Sequence, residues 1–256
     1  MKSLLNKIFK NRLAILLRNT LNVFPVRVNK YYLNKNISIS DAFLFRTDNN
    51  FKTIFRFTDL PNFLYSYKNT SIDLIFFDFK GILLKEINID KMDIHNEIVI
   101  DKNFFQGLET YGHFYLFHNI PDIGDKKIIL SNRCYLGFSK NDNSYSYVHG
   151  NSYVKSKDFN TNVQNTDFSN MSLLMNSKYI PQENFIDYDK IELFFANPTS
   201  RTIRLEVNKK EKKLLKNCDI KFELNKIKKV AILSNCKNIR PIVFVYKDGF
   251  YDVHHC

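Results

Sequence analysis

The residues of this chain that are best suited to chemistry lie in two similar segments, each of which runs from an arginine to a histidine. The first segment extends from Arg133 to His149, and the second from Arg240 to His254. Imidazole titrates near neutral pH, guanidinium groups bind anions with a planar pair of donors, and aromatic rings stack on ligands. Such a set could bind a sugar or a carboxylate, or could act as acid and base. The candidate ligand-binding residues are Arg133, Tyr135, Tyr147, His149, Asn151, Arg240 and His254.

A structural interpretation of the same residues stays open. In both segments the arginine and the histidine fall at the ends of predicted strands, where they could tie those ends to carbonyl groups. Because the segment occurs twice, a duplicated fold would repeat these contacts without any ligand. Under this interpretation a functional site is expected only where the two copies differ in sequence, as at Gly150 and Asn151.

The other histidines and the cysteines do not predict a metal site. His113 and His118 are five residues apart in a predicted strand, so their side chains point to opposite faces. The four cysteines include no pair at the spacing of zinc or thioredoxin-like motifs. The terminal residues His254, His255 and Cys256 are all of metal-ligating types, but the cluster is short and lies at a free terminus. We predict no metal and no cofactor.

No diagnostic catalytic motif is present. The chain lacks the phosphate-binding and dinucleotide-binding glycine loops, the nucleophile elbow and the paired histidines of zinc peptidases. No spacing nominates two carboxylates for glycoside chemistry. The sequence therefore favours a protein that is not an enzyme, although it does not decide the question.

The two arginine-to-histidine segments each close a longer series of short apolar strands. Residues 72–77, 82–87 and 97–100 correspond by pattern to 191–195, 202–207 and 219–224. Aromatic and β-branched residues separated by Gly, Pro, Asn and Asp turns are typical of strands. The period is too long for a solenoid and fits two tandem globular units. We therefore predict an all-β chain of two tandem antiparallel β-sandwich domains of immunoglobulin-like type.

The composition along the chain places the domain boundaries. The predicted parts are a basic amphipathic helix and lead-in at 1–37, a first β-sandwich domain at 38–150, a polar linker at 151–170 and a second β-sandwich domain at 171–256.

The net charge of +12 is concentrated at the start of the chain. Residues 1–40 hold eight basic side chains and no acidic one, whereas the remainder holds 30 basic and 26 acidic side chains. A basic helix that ends before Pro25 could lie on an anionic membrane, pack against a protein partner or the body of the protein, or direct the chain to an organelle. The residues predicted to contact the membrane or partner are Lys2, Lys7, Phe9, Lys10 and Arg18.

Three functions follow from these features. The first is a non-enzymatic binding or scaffold protein in a carbohydrate or cell-surface-polymer context, cytoplasmic and able to associate peripherally with a membrane. The second is an enzyme that acts on a sugar or another small polar substrate, with its site at Arg133, Tyr147 and His149. The third, nucleic-acid binding, is the least favoured, because the chain after the basic leader (residues 1–40) carries nearly equal numbers of basic and acidic side chains. The sequence leaves the oligomeric state undecided.

Overall fold

The computed structural model describes most of the chain from residue 36 onwards. The described residues are Leu13, Leu16, Leu17, 36–121, 123–124, 127–132, 134–165, 177–181, 184–236 and 239–255, with only the backbone described for 151–154, 165 and 255.

Slightly more than half of the described residues lie in strands and very few lie in helices, which confirms the prediction of an all-β chain. One short α-helix, α1 (Leu60–Tyr65), and one 3-10 helix (Asn103–Phe105) interrupt the strands. The strands are β1 (Ile37–Arg46), β2 (Phe51–Phe57), β3 (Ser71–Asp78), β4 (Leu83–Ile89), β5 (Asn96–Ile100), β6 (Tyr111–Asn119), β7 (Ile129–Asn132), β8 (Tyr135–Lys140), β9 (Ser146–His149), β10 (Asn151–Asp158), β11 (Gln164–Asn165), β12 (Ser177–Tyr179), β13 (Lys190–Ala196), β14 (Ile203–Val207), β15 (Lys210–Leu214), β16 (Asp219–Asn225), β17 (Ile232–Ser234), β18 (Ile242–Lys247) and β19 (Phe250–His255).

These strands form four sheets. Sheet I has the order β11-β10-β1-β6-β3-β4, with β7 also paired to β1; sheet II has the order β5-β2-β8-β9. Sheet III has the order β12-β17-β14-β15, and sheet IV has the order β16-β13-β18-β19. Only the β1–β7 pair is parallel among the described strand pairs.

The order of strand pairing repeats between the two halves of the chain. The β1-β6-β3-β4 part of sheet I is matched by sheet III, and sheet II is matched by sheet IV, strand for strand. The topology corrects part of the correspondence expected from the sequence. Residues 72–77 lie in β3, whose counterpart is β14, whereas residues 191–195 lie in β13, the counterpart of β2. The match between 97–100 and 219–224, which lie in β5 and β16, holds.

The immunoglobulin-like part of the prediction is not confirmed. In an immunoglobulin sandwich the first two strands pair with each other. Here β1 pairs with β6, and β2 pairs with β5 and β8. The four sheets pack in a four-bladed, propeller-like arrangement rather than as two immunoglobulin-like sandwiches.

Each of the two large hydrophobic cores draws side chains from both halves. Core A contains Tyr115 and Phe117 of β6 together with Leu193 and Phe195 of β13. Core B contains the phenylalanines of β1 and β2 and Phe76 of β3, together with Phe194 of β13. Strand β13 serves both cores because successive side chains of a strand point to opposite faces.

The first part of the predicted linker is a strand. Residues 151–158 form β10, which pairs antiparallel with β1, while residues 166–170 lie outside the described part of the chain. The Lys157 ammonium binds the Asp73 carboxylate at 2.6 Å and the Asn119 side-chain oxygen at 3.0 Å. These contacts hold β10 against the first half of the chain.

The predicted basic N-terminal helix is not supported by the described residues. Of residues 1–35, only Leu13, Leu16 and Leu17 are described, and all three are exposed. The predicted contact residues Lys2, Lys7, Phe9, Lys10 and Arg18 all lie outside the described part. None of the described helices is long and apolar enough to cross a membrane.

Candidate ligand-binding face

The first predicted hairpin forms as expected and places two candidate residues side by side. Strands β8 and β9 pair antiparallel, with Tyr135 opposite His149. Their rings lie 4.4 Å apart between centroids, tilted by 41°. Both side chains are exposed, Tyr135 to 52%. Arg133, the arginine expected to accompany them, lies outside the described residues.

Two further charged residues continue this pair across sheet II. Tyr135 lies opposite Arg56 of β2, and Arg56 lies opposite Glu97 of β5. A single row of side chains, Glu97, Arg56, Tyr135 and His149, therefore crosses all four strands. Because neighbouring strands are about 4.8 Å apart, the row spans roughly 14 Å.

Contacts with neighbouring side chains fix the position of Arg56. Its Nε donates to Glu97 Oε2 at 2.7 Å, and this hydrogen bond raises the pKa of the guanidinium. Its Cζ also lies 5.0 Å from the centre of the Tyr147 ring. The guanidinium is thus held between a carboxylate and an aromatic face, as in a cation–π contact.

The Tyr147 ring packs against a glycine of the neighbouring strand. A Cβ added to Gly137 would come within 2.6 Å of the Tyr147 ring. The absence of a side chain at Gly137 therefore makes room for the ring, which is 39% exposed. We call the surface formed by Arg56, Glu97, Tyr135, Tyr147 and His149 the aromatic face.

An open cleft adjoins one side of the aromatic face. It has a volume of about 610 Å³, and Arg56, Glu97 and Tyr135 form part of its wall. His95 and Thr58 extend this wall beyond the aromatic face. A ligand on the face could therefore extend into the cleft.

The remaining candidate residues lie elsewhere. The backbone of Asn151 pairs with Ala42 in sheet I. Arg240 is exposed, and its guanidinium carbon lies 5.9 Å from the Tyr179 ring. His254 Nε2 lies 3.6 Å from Asp252. The structure does not bring these residues to the aromatic face.

The second hairpin also forms as predicted, including its turn. Asp248 and Gly249 both have positive φ, 51° and 82°, between paired Lys247 and Phe250. The sequence predicted that His149 and His254 occupy equivalent positions, but the strand register makes His255 the equivalent of His149. Tyr135, the first residue of β8, pairs with the last residue of β9, and the matching pair at the ends of β18 and β19 is Ile242 with His255.

The two hairpins therefore differ at matching positions. The tyrosine that faces His149 in the first half is replaced by Ile242, which is buried in core B. At these matching positions the described side chains form an exposed pair of a phenol and an imidazole in the first half, whereas Ile242 in the second half is buried. The difference between the copies places the candidate site in the first half of the chain.

Sequence reasoning missed Arg56 and Glu97. They come from strands about 80 and 40 residues before Tyr135, so no local motif joins them to the hairpin. The sequence did contain a signal for both residues. Each is a charged residue within an apolar strand, at a position whose side chain points to solvent, as in Ile54-Phe55-Arg56-Phe57. Charged residues in such positions can be selected for what they contact.

Two buried histidines lie away from the aromatic face. His113 Nδ1 lies 2.8 Å from Asp219 Oδ2 in a contact between the two halves of the chain. Burial raises the pKa of the Asp219 carboxyl, and the neighbouring His113 opposes this shift. Burial lowers the pKa of His118 to about 4. Within the described residues, no group of three His, Cys, Asp or Glu side chains is arranged to hold a metal ion.

Comparison of the chain with family models, with curated proteins and with solved structures found no match. The chemistry of the aromatic face therefore has to be judged from its own geometry.

Proposed function

We propose that the protein is a non-enzymatic binding protein that holds a carbohydrate chain on the aromatic face. The observation that supports this is the row of Glu97, Arg56, Tyr135 and His149 across sheet II, with Tyr147 beside it. The row joins a charged pair, Glu97 and Arg56, to two exposed rings, Tyr135 and His149, and all four side chains can donate or accept hydrogen bonds. Sugars offer both apolar C–H surfaces and hydroxyl groups, and such a row can engage both.

The length and openness of the face favour an extended ligand. Its roughly 14 Å row continues into the open cleft, so several linked rings could lie along it. The Arg56 fork, already shared with Glu97, could also bind a carboxylate of an acidic sugar. This is in keeping with a cell-surface-polymer context.

The surroundings favour binding over catalysis. A catalytic site needs convergent groups in a cavity from which water is excluded, since there their charges act strongly. Arg56, Glu97 and Tyr135 are all about half exposed, and their groups are spread along a row instead of converging on one point.

The cellular location is a further part of the proposal. We infer a cytoplasmic protein that the basic residues 1–40 hold at an anionic membrane or on a protein partner. Flotation of the full chain and of a chain lacking residues 1–30 with anionic liposomes tests this. Equal flotation of the two would remove the leader from the proposal.

The central test measures binding of the full chain to an array of acidic and neutral oligosaccharides. Positive ligands are then titrated calorimetrically against Tyr135→Ala and Tyr147→Ala. We expect each substitution to weaken binding about fivefold or more, because a stacked aromatic contact contributes roughly 1–3 kcal/mol. Phe250→Ala is the matched control, since Phe250 is 78% exposed at the tip of the β18–β19 hairpin.

Three outcomes would overturn the proposal. The first is that no oligosaccharide binds. The second is that single-stranded oligonucleotides bind instead and lose affinity with Tyr135→Ala. The third is that the bound oligosaccharide is cleaved or modified, as followed by mass spectrometry, which would make the protein an enzyme.

A further inference from the structure

The charge of the chain after its leader is divided unequally between the two halves. Residues 41–170 contain 14 basic and 16 acidic side chains, whereas residues 171–256 contain 16 basic and 10 acidic ones. The excess is concentrated in residues 209–229, with nine lysines and three acidic residues. One of those acidic residues, Asp219, is buried against His113.

The fold brings five of these lysines to one end of sheet III. The turn between β14 and β15 meets the loop between β16 and β17 through Asn208, whose backbone N–H donates to Ala231 O at 2.9 Å. The Asn208 side chain donates to Lys229 O at 3.2 Å and accepts from Ala231 N at 2.7 Å. We call this surface the lysine end; it consists of Lys209, Lys210, Lys226, Lys228 and Lys229, all exposed.

The lysines at this end have no acidic partner among the described side chains. None of the five takes part in a salt bridge within the described part of the chain. The described acidic residues nearest along the chain are Glu206, Glu211 and Glu223, too few to balance five lysines. Glu223 already forms ion pairs with Lys190 and Lys221. Lys209 also keeps a backbone φ of 68°, which is uncommon for a residue with a side chain.

Two exposed isoleucines accompany the lysine end. Ile180 follows Tyr179, which pairs with Ile232 at the same end of sheet III, and it is 52% exposed. Ile186 is 57% exposed and follows Phe185, whose N–H donates to Lys228 O at 3.0 Å. The surface therefore combines positive charge with protruding aliphatic side chains.

We propose that the lysine end docks on an anionic lipid bilayer. Each lysine near such a surface is attracted by the negative headgroups, and Ile180 and Ile186 can enter the boundary between headgroups and acyl chains. A nucleic acid would use the lysines but would gain little from the aliphatic side chains. The combination therefore favours lipid over nucleic acid. The lysine end lies on sheet III, whereas the aromatic face lies on sheet II, and the residues of the lysine end are distant in sequence from the basic residues 1–40.

The test is co-flotation of the full chain with vesicles of phosphatidylcholine alone or with 30% phosphatidylserine. The test variant is Lys209→Glu/Lys228→Glu/Lys229→Glu. The matched control, Lys68→Glu/Lys91→Glu/Lys102→Glu, makes the same charge change at exposed lysines of the first half. A third variant, Ile180→Ser/Ile186→Ser, tests the aliphatic contribution. The leader is intact in every chain, so its contribution is common to all.

We expect the test variant to partition onto the anionic vesicles at least about tenfold more weakly than the control variant. Raising the salt from 0.1 to 1 M should remove the difference, because the screening length falls from about 10 Å to about 3 Å. The isoleucine variant should also bind vesicles less, with unchanged binding to a duplex oligonucleotide. Equal flotation of the two lysine variants would overturn the proposal, as would isoleucine substitutions that leave flotation unchanged.

Discussion

At the scale of single residues, Arg46 is the most consequential side chain between the two halves. It is fully buried, and its guanidinium donates to both oxygens of Asp48 and to Glu192 at 2.8–3.0 Å. Its Cζ also lies 4.1 Å from the centre of the Phe51 ring and 4.6 Å from that of Phe244. One cation thus bridges β1, β13 and β18, and its charge is compensated on two sides.

The Glu192 carboxylate depends on this cation. Burial by itself would raise its pKa, but the Arg46 charge, with hydrogen bonds from Lys190 and Tyr246, lowers the pKa to about 2. The carboxylate therefore remains ionised in the folded protein at neutral pH.

Replacing Arg46 by methionine is expected to destabilise the protein by about 3–5 kcal/mol, because it removes the guanidinium that compensates the buried Glu192 and the partly buried Asp48 carboxylates. Urea unfolding at pH 7 measures the loss. Arg56→Met is the matched control, since Arg56 makes its ion pair with Glu97 at the surface. Its substitution should cost no more than about 1 kcal/mol. Similar losses for the two variants would contradict the role given to Arg46.

The buried His118 predicts how stability responds to mild acid. Its pKa is lowered to about 4 in the folded protein, whereas that of an unfolded histidine is about 6.5. Between these values the unfolded chain binds the proton more strongly, so stability falls as the pH drops from 6.5 to 4, by roughly 3 kcal/mol. The Glu192 contribution is lost lower, as the pH falls from about 4.5 to about 2.

Urea unfolding between pH 7.5 and pH 4 measures this dependence on the full chain and on His118→Leu, which cannot titrate. The variant should show a flatter profile in that window. His95→Leu, at an exposed histidine, should keep the slope of the unsubstituted protein. Parallel profiles for the full chain and His118→Leu would show that another group causes the loss.

At the scale of elements, the sequence was sufficient for strands and hairpins but not for distant partners. The β18–β19 turn follows from Asp248 and Gly249, because local geometry decides it. The pairing of β1 with both β6 and β10 joins residues about 65–120 positions apart in sequence, and no local pattern encodes it. The sequence matched β3 to β13, whereas its counterpart in the topology is β14. The prediction was displaced by one strand because buried strands of similar composition cannot be told apart by their apolar pattern.

The candidate site shows the same division. Tyr135, Tyr147 and His149 were identified because one hairpin holds all three. Arg56 and Glu97 were not, since they reach the same row through pairing between strands far apart in sequence. A row across a sheet becomes visible only when the register is known.

Two glycines in strands test how the sheets are assembled. A Cβ at Gly112 would lie 2.0 Å from the backbone oxygen of Phe77, whereas the atoms nearest to a Cβ at Gly137 would be those of the Tyr147 ring, 2.6–3.1 Å away. Gly112→Ala must therefore force β3 and β6 apart. We expect it to lower the free energy of unfolding by about 3 kcal/mol or more, at the upper end of overpacking effects.

Gly137→Ala is expected to cost about 1 kcal/mol, since the Tyr147 side chain can rotate away. Thermal unfolding followed by circular dichroism compares the two variants. A larger loss for Gly137→Ala than for Gly112→Ala would mean that the hairpin, not the β3–β6 pair, is the tighter assembly.

At the scale of the whole molecule, the two repeats share their cores. Phe194, Phe244 and Val253 from the second half are buried in core B, and Tyr115 and Phe117 from the first half are buried in core A. Unfolding one repeat alone would expose the apolar face of the other. We therefore expect calorimetry to show one transition, with calorimetric and van't Hoff enthalpies about equal. Two resolved transitions would contradict shared cores.

The position of β19 has a consequence for synthesis on the ribosome. Val253 completes core B, its N–H donates to Ser146 Oγ at 3.0 Å, and Tyr251 donates to Phe138 O at 2.6 Å. The first repeat thus leaves the ribosome before the residues that seal its core exist. At about 5–20 residues per second, this apolar surface stays open for several seconds in every newborn chain. Chaperone capture competes with folding during that interval, so translation speed through the second repeat should influence the yield of folded protein.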